Sequence, residues 1–164
     1  MRMQKLSLFW TCILVAFPVW SAPYKEGDPL ETFEIIDQFD KPWTVGENAR
    51  FLLLSFEMGM SKKLHQALHR SEQPAILENN QTDYVTDITN MPALITLMFA
   101  GPKMRKYPFR ILLARDKTFA ERFPSEFGYF TLLRLNPDHT IARILYLENP
   151  QEIFEAITTP QEEN

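Results

Sequence analysis

The sequence predicts an α/β fold in which helices flank a mixed central sheet. Ala49 to Phe56 is an apolar run that is too short for a typical helix, and a segment with helical spacing follows it at once. Further strand-like and helix-like segments then alternate along the chain. Near the C-terminus, two β runs joined by a turn precede a last helix. Together these features indicate a single sheet covered by helices on both faces.

The N-terminus has the pattern of a secretory signal peptide. Arg2 and Lys5 precede the apolar segment Leu6 to Phe17, and small residues follow as far as Ala22. The apolar segment is shorter than the ~20 residues that a membrane-spanning helix needs. We therefore predict cleavage after Ser21 and a periplasmic or secreted protein without a stable membrane anchor.

The remaining chain is predicted to form one domain over residues 22–158, with a flexible tail over residues 159–164. The full chain has a net charge of −4, which gives no reason to expect nucleic acid as a partner. Hydrophobic residues make up 45% of it, enough for a substantial core. Basic residues cluster in one region, which we interpret as a solvated rim. They are Lys103, Arg105, Lys106, Arg110, Arg115, Lys117 and Arg122.

Cysteine usage limits the chemistry of the protein. The chain contains one cysteine, Cys12, and it lies inside the predicted signal peptide. A mature protein that begins after Ser21 therefore has no thiol. We expect neither disulfides nor thiol exchange, because both need a cysteine side chain.

The N-terminal third is predicted to contain a small β-hairpin and the central strand. Phe33 and Ile35 alternate with polar residues up to a turn at 39–42, and a second short strand follows at 43–45. After the central strand we predict a turn at Gly59 and a helix with Ser61 as its N-cap. That helix is predicted to end near residues 70–71, because Pro74 cannot continue it.

The middle of the chain is predicted to contain a loop, a strand and a buried helix. Residues 78–83 are polar and suggest a surface loop, and residues 84–88 suggest a strand. A helix is then predicted from Pro92, with apolar residues around most of its circumference. Gly101 and Pro102 provide a signal for its end.

The C-terminal third carries the clearest local signals. Residues 110–114 suggest a strand, and residues 118–123 a short helix. Strands at 131–135 and 140–147 are joined by a turn, so we predict a β-hairpin. Asn149 is predicted to cap the last helix, which has Pro150 at its first position and Glu152 three residues after the cap.

This order of elements resembles that of the thioredoxin-like superfamily, particularly its secreted thiol-reductase and peroxiredoxin-type branch. The opening segment Gly27-Asp28-Pro29-Leu30 is also similar to that branch, and the resemblance covers Pro29 to Thr158. It implies a three-layer thioredoxin-like fold with a mixed central sheet, flanking helices and a small N-terminal β-hairpin.

The resemblance does not extend to the redox motif. Ser61 stands where the family has its nucleophilic cysteine, and Leu64 where it has the resolving one. Phe130 occupies the position of the family's cis-proline. These losses imply a redox-inactive protein that acts by binding a protein or peptide, with no cofactor. The candidate binding surface consists of Glu57, Met58, Met60, Ser61 and Phe130.

Three other hypotheses concern the same region. Met58, Met60, His65 and His69 carry the thioether and imidazole ligands that Cu(I) prefers, which makes periplasmic copper handling the alternative function. Ser61 could act as a nucleophile with His65 as its base, although a plain N-cap is the competing interpretation. A further set follows the strand at 84–88, where it serves either as a turn and cap or as part of a ligand site. It consists of Asp87, Asn90 and Met91.

Overall fold

The computed structural model describes residues 22–91 and 101–159. Their strands are β1 (Phe33–Asp37), β2 (Pro42–Val45), β3 (Phe51–Ser55), β4 (Thr82–Asp87), β5 (Leu112–Ala114), β6 (Phe130–Leu135) and β7 (Ile141–Leu147). Their helices are α1 (Met58–Arg70), α2 (Ile76–Asn79), α3 (Gly101–Met104), α4 (Lys117–Glu121) and α5 (Pro150–Thr158). Within these residues, no helix is long and apolar enough to cross a membrane.

The strands of the described residues form one mixed sheet in the order β2-β1-β5-β4-β3-β6-β7. β3 and β4 pair in parallel, as do β4 and β5. β1 pairs antiparallel with β2 and β5, and β6 pairs antiparallel with β3 and β7. The predicted mixed sheet and both predicted hairpins are therefore confirmed.

The central strand, β3, is buried along its whole length, which shows that both faces of the sheet are covered. Alternation along β3 sends Phe51 and Leu53 to the face that packs against α1, α2 and α5. Leu52 and Leu54 point to the opposite face, where α4 and the N-terminal segment complete a second core. The result is the predicted arrangement of three layers.

The last helix begins as predicted. The Asn149 side chain accepts a hydrogen bond from the Glu152 backbone N–H at 3.1 Å, and the Glu152 carboxylate accepts one from the Glu148 N–H at 2.8 Å. Pro150 occupies the first turn, where the missing N–H leaves no intrahelical partner unpaired. This reciprocal capping explains why the helix start is readable from the local sequence alone.

The start of α1 differs from the prediction. The helix begins at Met58 with Glu57 as its N-cap, so Gly59 lies inside the helix and not in a turn. Ser61 is also an interior residue, and its backbone N–H donates to the Glu57 carbonyl at 3.0 Å. The predicted N-cap at Ser61 is therefore wrong, because its hydroxyl is used in contacts with the sheet.

Two other predicted boundaries also differ. Part of the predicted loop at 78–83 is helical, because Ile76 and Leu77 are buried and hold α2 against the core. The predicted stop at residues 101–102 lies within the short helix α3. The predicted helix from Pro92 and the predicted signal peptide at 1–21 fall outside the described residues.

Part of the basic cluster fixes the N-terminal hairpin and is not merely a solvated rim. Arg105 and Arg115 contact the Asp40 carboxylate at the hairpin turn, at 2.7 Å and 3.3 Å. The Arg110 guanidinium lies 3.7 Å from the centre of the Trp43 ring, within the range of a cation–π contact. These contacts tie β1 and β2 to the segments on either side of β5.

Candidate functional site

A cleft of about 330 Å³ opens where β3 and β4 end, beside the first turns of α1. Open α/β proteins usually bind ligands at the carboxyl ends of parallel strands, and β3 and β4 are two such strands. The walls of the cleft combine apolar side chains with a smaller number of polar ones. The lining residues are Phe56, Met58, Ile88, Met91, Met104 and Tyr107, with Ser61, Lys62, His65, Thr86, Asp87, Asn90 and Lys103.

Three buried hydroxyls meet at the floor of the cleft. The Ser61 Oγ lies 2.8 Å from the Ser55 Oγ and 2.6 Å from the Thr86 Oγ1, and Ser55 donates to Thr86 at 3.1 Å. Ser55 is the last residue of β3, and it pairs with Thr86, the second-last residue of β4, on the face that packs against α1. Ser61 also donates to the Glu57 carbonyl at 3.1 Å. We call these three residues the hydroxyl cluster.

The hydroxyl cluster continues to a buried histidine. The Tyr84 hydroxyl lies 3.1 Å from the Ser55 Oγ and 3.2 Å from the His65 Nε2. Burial, and next the positive charge of Lys103, lower the pKa of His65 from 6.5 to about 4. Burial raises the pKa of Tyr84 above its usual value of 10.0. Both groups are therefore neutral at physiological pH, and the network carries no buried charge.

The buried histidine makes stability depend on pH. Between pH 6.5 and about 4, the unfolded chain binds a proton at His65 that the folded chain does not bind. Its contribution to stability is therefore fully present above pH 6.5 and is lost as the pH falls towards 4. At about 1.4 kcal/mol per pKa unit, the loss reaches about 3 kcal/mol.

Urea unfolding between pH 4 and 7 tests this pH dependence. The free energy of unfolding of the wild type is expected to decrease as the pH falls from 7 to 4. For His65→Gln, the same quantity is expected to depend clearly less on pH. The change His69→Gln serves as the control, because His69 is exposed. Equal slopes for the wild type and His65→Gln would show that another group causes the dependence.

Glu57 anchors a neighbouring loop to the start of α1. Its carboxylate accepts a hydrogen bond from the Gly128 backbone N–H at 2.6 Å, and Gly128 has a φ of 85°, which favours glycine. The adjacent side chains Met58 and Phe127 are 61% and 88% exposed. Glu57 therefore holds together two segments that each present an apolar side chain to solvent.

The predicted binding surface is only partly exposed. Met60 and Phe130 are 3% and 0% exposed and belong to the core beneath α1. The prediction that they form an exposed surface is corrected, because α1 starts early enough to turn Met60 inward. Met58 and Ser61 do line the cleft. Phe130 is the first residue of β6, and the described residues contain no cis peptide bond.

The predicted nucleophilic pair and metal set do not assemble as proposed. His65 contacts the Tyr84 hydroxyl, and Ser61 has Ser55 and Thr86 as its partners, so no base lies directly on Ser61. Met60 lies in the core, and the His69 ring packs edge-on against Tyr107 at 5.9 Å. Within 22–91 and 101–159 there is no group of three His, Cys, Asp or Glu side chains that could hold a metal ion.

The structure brings the third predicted set into the same cleft. Asp87, Asn90 and Met91 all line it, and the Asp87 carboxylate accepts a hydrogen bond from the Thr89 N–H at 2.7 Å. Asp87 therefore also serves in the turn after β4. Met104 and Tyr107 also line the cleft and were not predicted from the sequence, although these apolar residues interrupt a basic segment and that interruption is a usable signal.

Comparison with known proteins identifies the fold. No family model matches the chain, and no curated protein matches it in sequence. Among solved structures, a cysteine-to-serine mutant of PrxQ from Xylella fastidiosa gives a TM-score of 0.57 at 10% identity, covering 84% of this chain and 97% of that one. The fold is thioredoxin-like.

Two other structures with thioredoxin-like folds agree with this assignment. The peroxidoxin BcpB from Mycobacterium tuberculosis gives a TM-score of 0.52 at 16% identity, with 81% of this chain and 95% of that chain covered. The thioredoxin domain of a thiol-disulfide oxidoreductase from Bacteroides vulgatus gives 0.52 at 11% identity, with 83% and 99% covered. The predicted thioredoxin-like resemblance is confirmed at the level of the fold.

The start of α1 changes how the chain aligns with a thioredoxin-like redox site. A reactive cysteine is favoured in the first turn of a helix, where the helix dipole stabilises a thiolate. In this chain that position is Met58, which is exposed, and a partner three residues later is Ser61. Leu64 is fully buried in the core. On helix position alone, Met58 and Ser61 are better placed for such a pair than the predicted Ser61 and Leu64, and the cysteine variants in the Discussion test the two alignments.

Proposed function

We propose that this chain is an exported, redox-inactive protein with a thioredoxin-like fold that binds a peptide segment of a partner protein in the cleft. The observation that carries the proposal is the cleft itself, whose apolar walls lie beside the first turn of α1. Its volume of about 330 Å³ lies at the lower end of the ~300–1,000 Å³ typical of ligand sites. Such a volume suits one or two side chains of a peptide.

The side chains at the redox positions support binding over thiol chemistry. Met58 and Ser61 offer a thioether and a hydroxyl, and the single cysteine of the chain is Cys12. Three of the apolar lining residues are methionines, whose flexible side chains adapt to different partners. A partner segment would cover Met58, which is 61% exposed.

Selection from a displayed library of random peptides tests the proposal. The change Met58→Lys is expected to weaken binding of the selected peptides at least tenfold, because it places a charge on an apolar wall. Phe39→Lys is the matched control, since Phe39 is 47% exposed at the hairpin turn and does not line the cleft. Equal affinity of wild type and Met58→Lys for every selected peptide would contradict binding in the cleft.

Export is a separate part of the proposal. The charged and apolar pattern of residues 1–21 supports secretion with cleavage after Ser21. The intact mass of the protein recovered from its native cell envelope or medium is expected to match a chain beginning at Ala22. A full-length or lipid-modified mass would contradict cleavage at this site.

Copper handling is a second candidate function, with a different ligand set from the one predicted. The cleft gathers the thioethers of Met58, Met91 and Met104 with the ring of His65, and all four groups suit Cu(I). Titration with Cu(I) under reducing conditions is expected to shift the methyl resonances of these methionines if the cleft binds the metal. Unchanged resonances at a twofold excess of Cu(I) would exclude this candidate.

A further inference from the structure

The cleft carries positive charge that its own residues do not neutralise. Lys62 and Lys103 line it, and neither forms a salt bridge within the described part of the chain. Asp87 is the one carboxylate among the lining residues, and it accepts a hydrogen bond from the Thr89 N–H. Two ammonium groups against one carboxylate leave an excess of positive charge at the cleft.

The start of α1 adds to this positive potential. Met58 and Ser61 in its first turn line the cleft, and no side chain caps the helix. The Glu57 carboxylate accepts its hydrogen bond from Gly128 and not from the helix. The first N–H groups of a helix have no partner within it, so these groups and the helix dipole favour an anion at this end of α1.

His65 supplies a second, independent indication of a polar ligand. Its ring is 5% exposed and lines the cleft, and its Nε2 is paired with the Tyr84 hydroxyl. Its Nδ1 has no hydrogen-bond partner among residues 22–91 and 101–159, and no side-chain nitrogen there is both sealed from solvent and unpaired. The ring lines the cleft, so its Nδ1 can donate one hydrogen bond to a ligand there when the Tyr84 hydroxyl donates to Nε2.

We infer that the cleft recognises an apolar carboxylate, whose anionic end contacts Lys62, Lys103 and the His65 Nδ1. The apolar part of the ligand then packs against Met58, Ile88 and Met91. A peptide C-terminus with an apolar last side chain has this chemistry, and so does a free aliphatic acid. This inference rests on the proposed function, since it names the ligand class of the same cleft.

Two pools of random hexapeptides test the inference, one with free C-terminal carboxylates and one with C-terminal amides. The wild type is expected to retain the free-carboxylate pool about tenfold more strongly, the lower limit for a hydrogen bond to a charged group. Peptides ending in Leu, Met or Phe are expected to dominate. The preference is expected to shrink in 0.5 M salt, because ions screen exposed charges.

Matched variants separate the contributions to this preference. Lys62→Gln with Lys103→Gln is expected to remove the preference, whereas Lys63→Gln with Lys106→Gln changes the net charge equally and is expected to keep it. His65→Gln places an amide near the position of Nε2 and leaves no group at Nδ1. It is expected to reduce the preference, and His65 would not be a ligand-binding residue if the preference were unchanged in the folded variant.

The outcomes distinguish the inference from the proposed function. Equal retention of both pools by the wild type overturns the inference and leaves peptide binding intact. Retention of neither pool overturns peptide binding itself. Added octanoate identifies the source of the carboxylate: displacement of bound peptides assigns the site to free acids as well, and no displacement assigns it to peptide C-termini.

Discussion

The double change Met58→Cys with Ser61→Cys is expected to produce an intramolecular disulfide and measurable reduction of insulin, whereas the wild type is expected to show neither. Met58 is the first residue of α1 and is exposed, so a cysteine there can exchange with substrate. Ser61 lies one turn further along the helix at the floor of the cleft. Thiol-dependent peroxide consumption by the wild type is also expected to equal a buffer blank.

The pair Ser61→Cys with Leu64→Cys is the control for this prediction. It has the same spacing within α1, but Leu64 is fully buried in the core, so a cysteine at that position is not available for exchange with a substrate or an oxidant. Ready oxidation of this control, with none of the first pair, would show that the thioredoxin-like register is the one predicted from the sequence.

Charging the buried half of the predicted surface is expected to unfold the protein. Met60 and Phe130 are 3% and 0% exposed, so Met60→Lys and Phe130→Asp each remove core packing and bury a charge. The loss is expected to be at least ~4 kcal/mol, a large share of the ~5–15 kcal/mol that usually stabilises a domain. Urea unfolding monitored by circular dichroism measures it.

Met58→Lys is the informative comparison for these two variants. Met58 is two residues from Met60 on the same helix but is 61% exposed, so its replacement is expected to change stability by less than ~1 kcal/mol. A stable Met60→Lys protein would mean that the start of α1 is placed wrongly. The binding experiment relies on this difference, because only Met58→Lys separates lost binding from lost folding.

Local signals in the sequence were sufficient for much of the fold. The apolar run that became β3 is buried on both faces, and its composition alone indicates this. The cap at Asn149 and the hairpin turn before β7 depend on residues within a few positions of each other. Such features are readable because their interactions do not depend on distant parts of the chain.

The start of α1 could not be read in the same way. A serine before an apolar helical pattern normally indicates an N-cap, but Ser61 contacts Ser55 and Thr86 instead. Thr86 is 25 residues away in sequence, and only the parallel pairing of β3 and β4 brings it close. Tertiary hydrogen bonds therefore replaced the local cap and moved the helix start to Met58.

Only part of the cleft lining could be predicted from the sequence. Met58 and Ser61 were selected through the resemblance, and Asp87, Asn90 and Met91 through the rule for sheet edges. Lys103, Met104 and Tyr107 form another wall of the cleft. The sequence around them does not indicate that folding places this segment beside α1 and the end of β4. His65 was considered as a metal ligand or base, and its pairing with Tyr84 follows from the packing of α1 on β4.

The most direct test of binding in the cleft is a spectrum of a protein comprising residues 22–164 with ¹³C-labelled methionine methyl groups, recorded with and without a selected peptide. The resonances of Met58, Met91 and Met104 are expected to shift, because these side chains line the cleft. The resonance of Met60, which lies in the core and is 3% exposed, is expected to remain unchanged. A peptide that binds tightly while leaving the three cleft methionines unchanged would contradict the account.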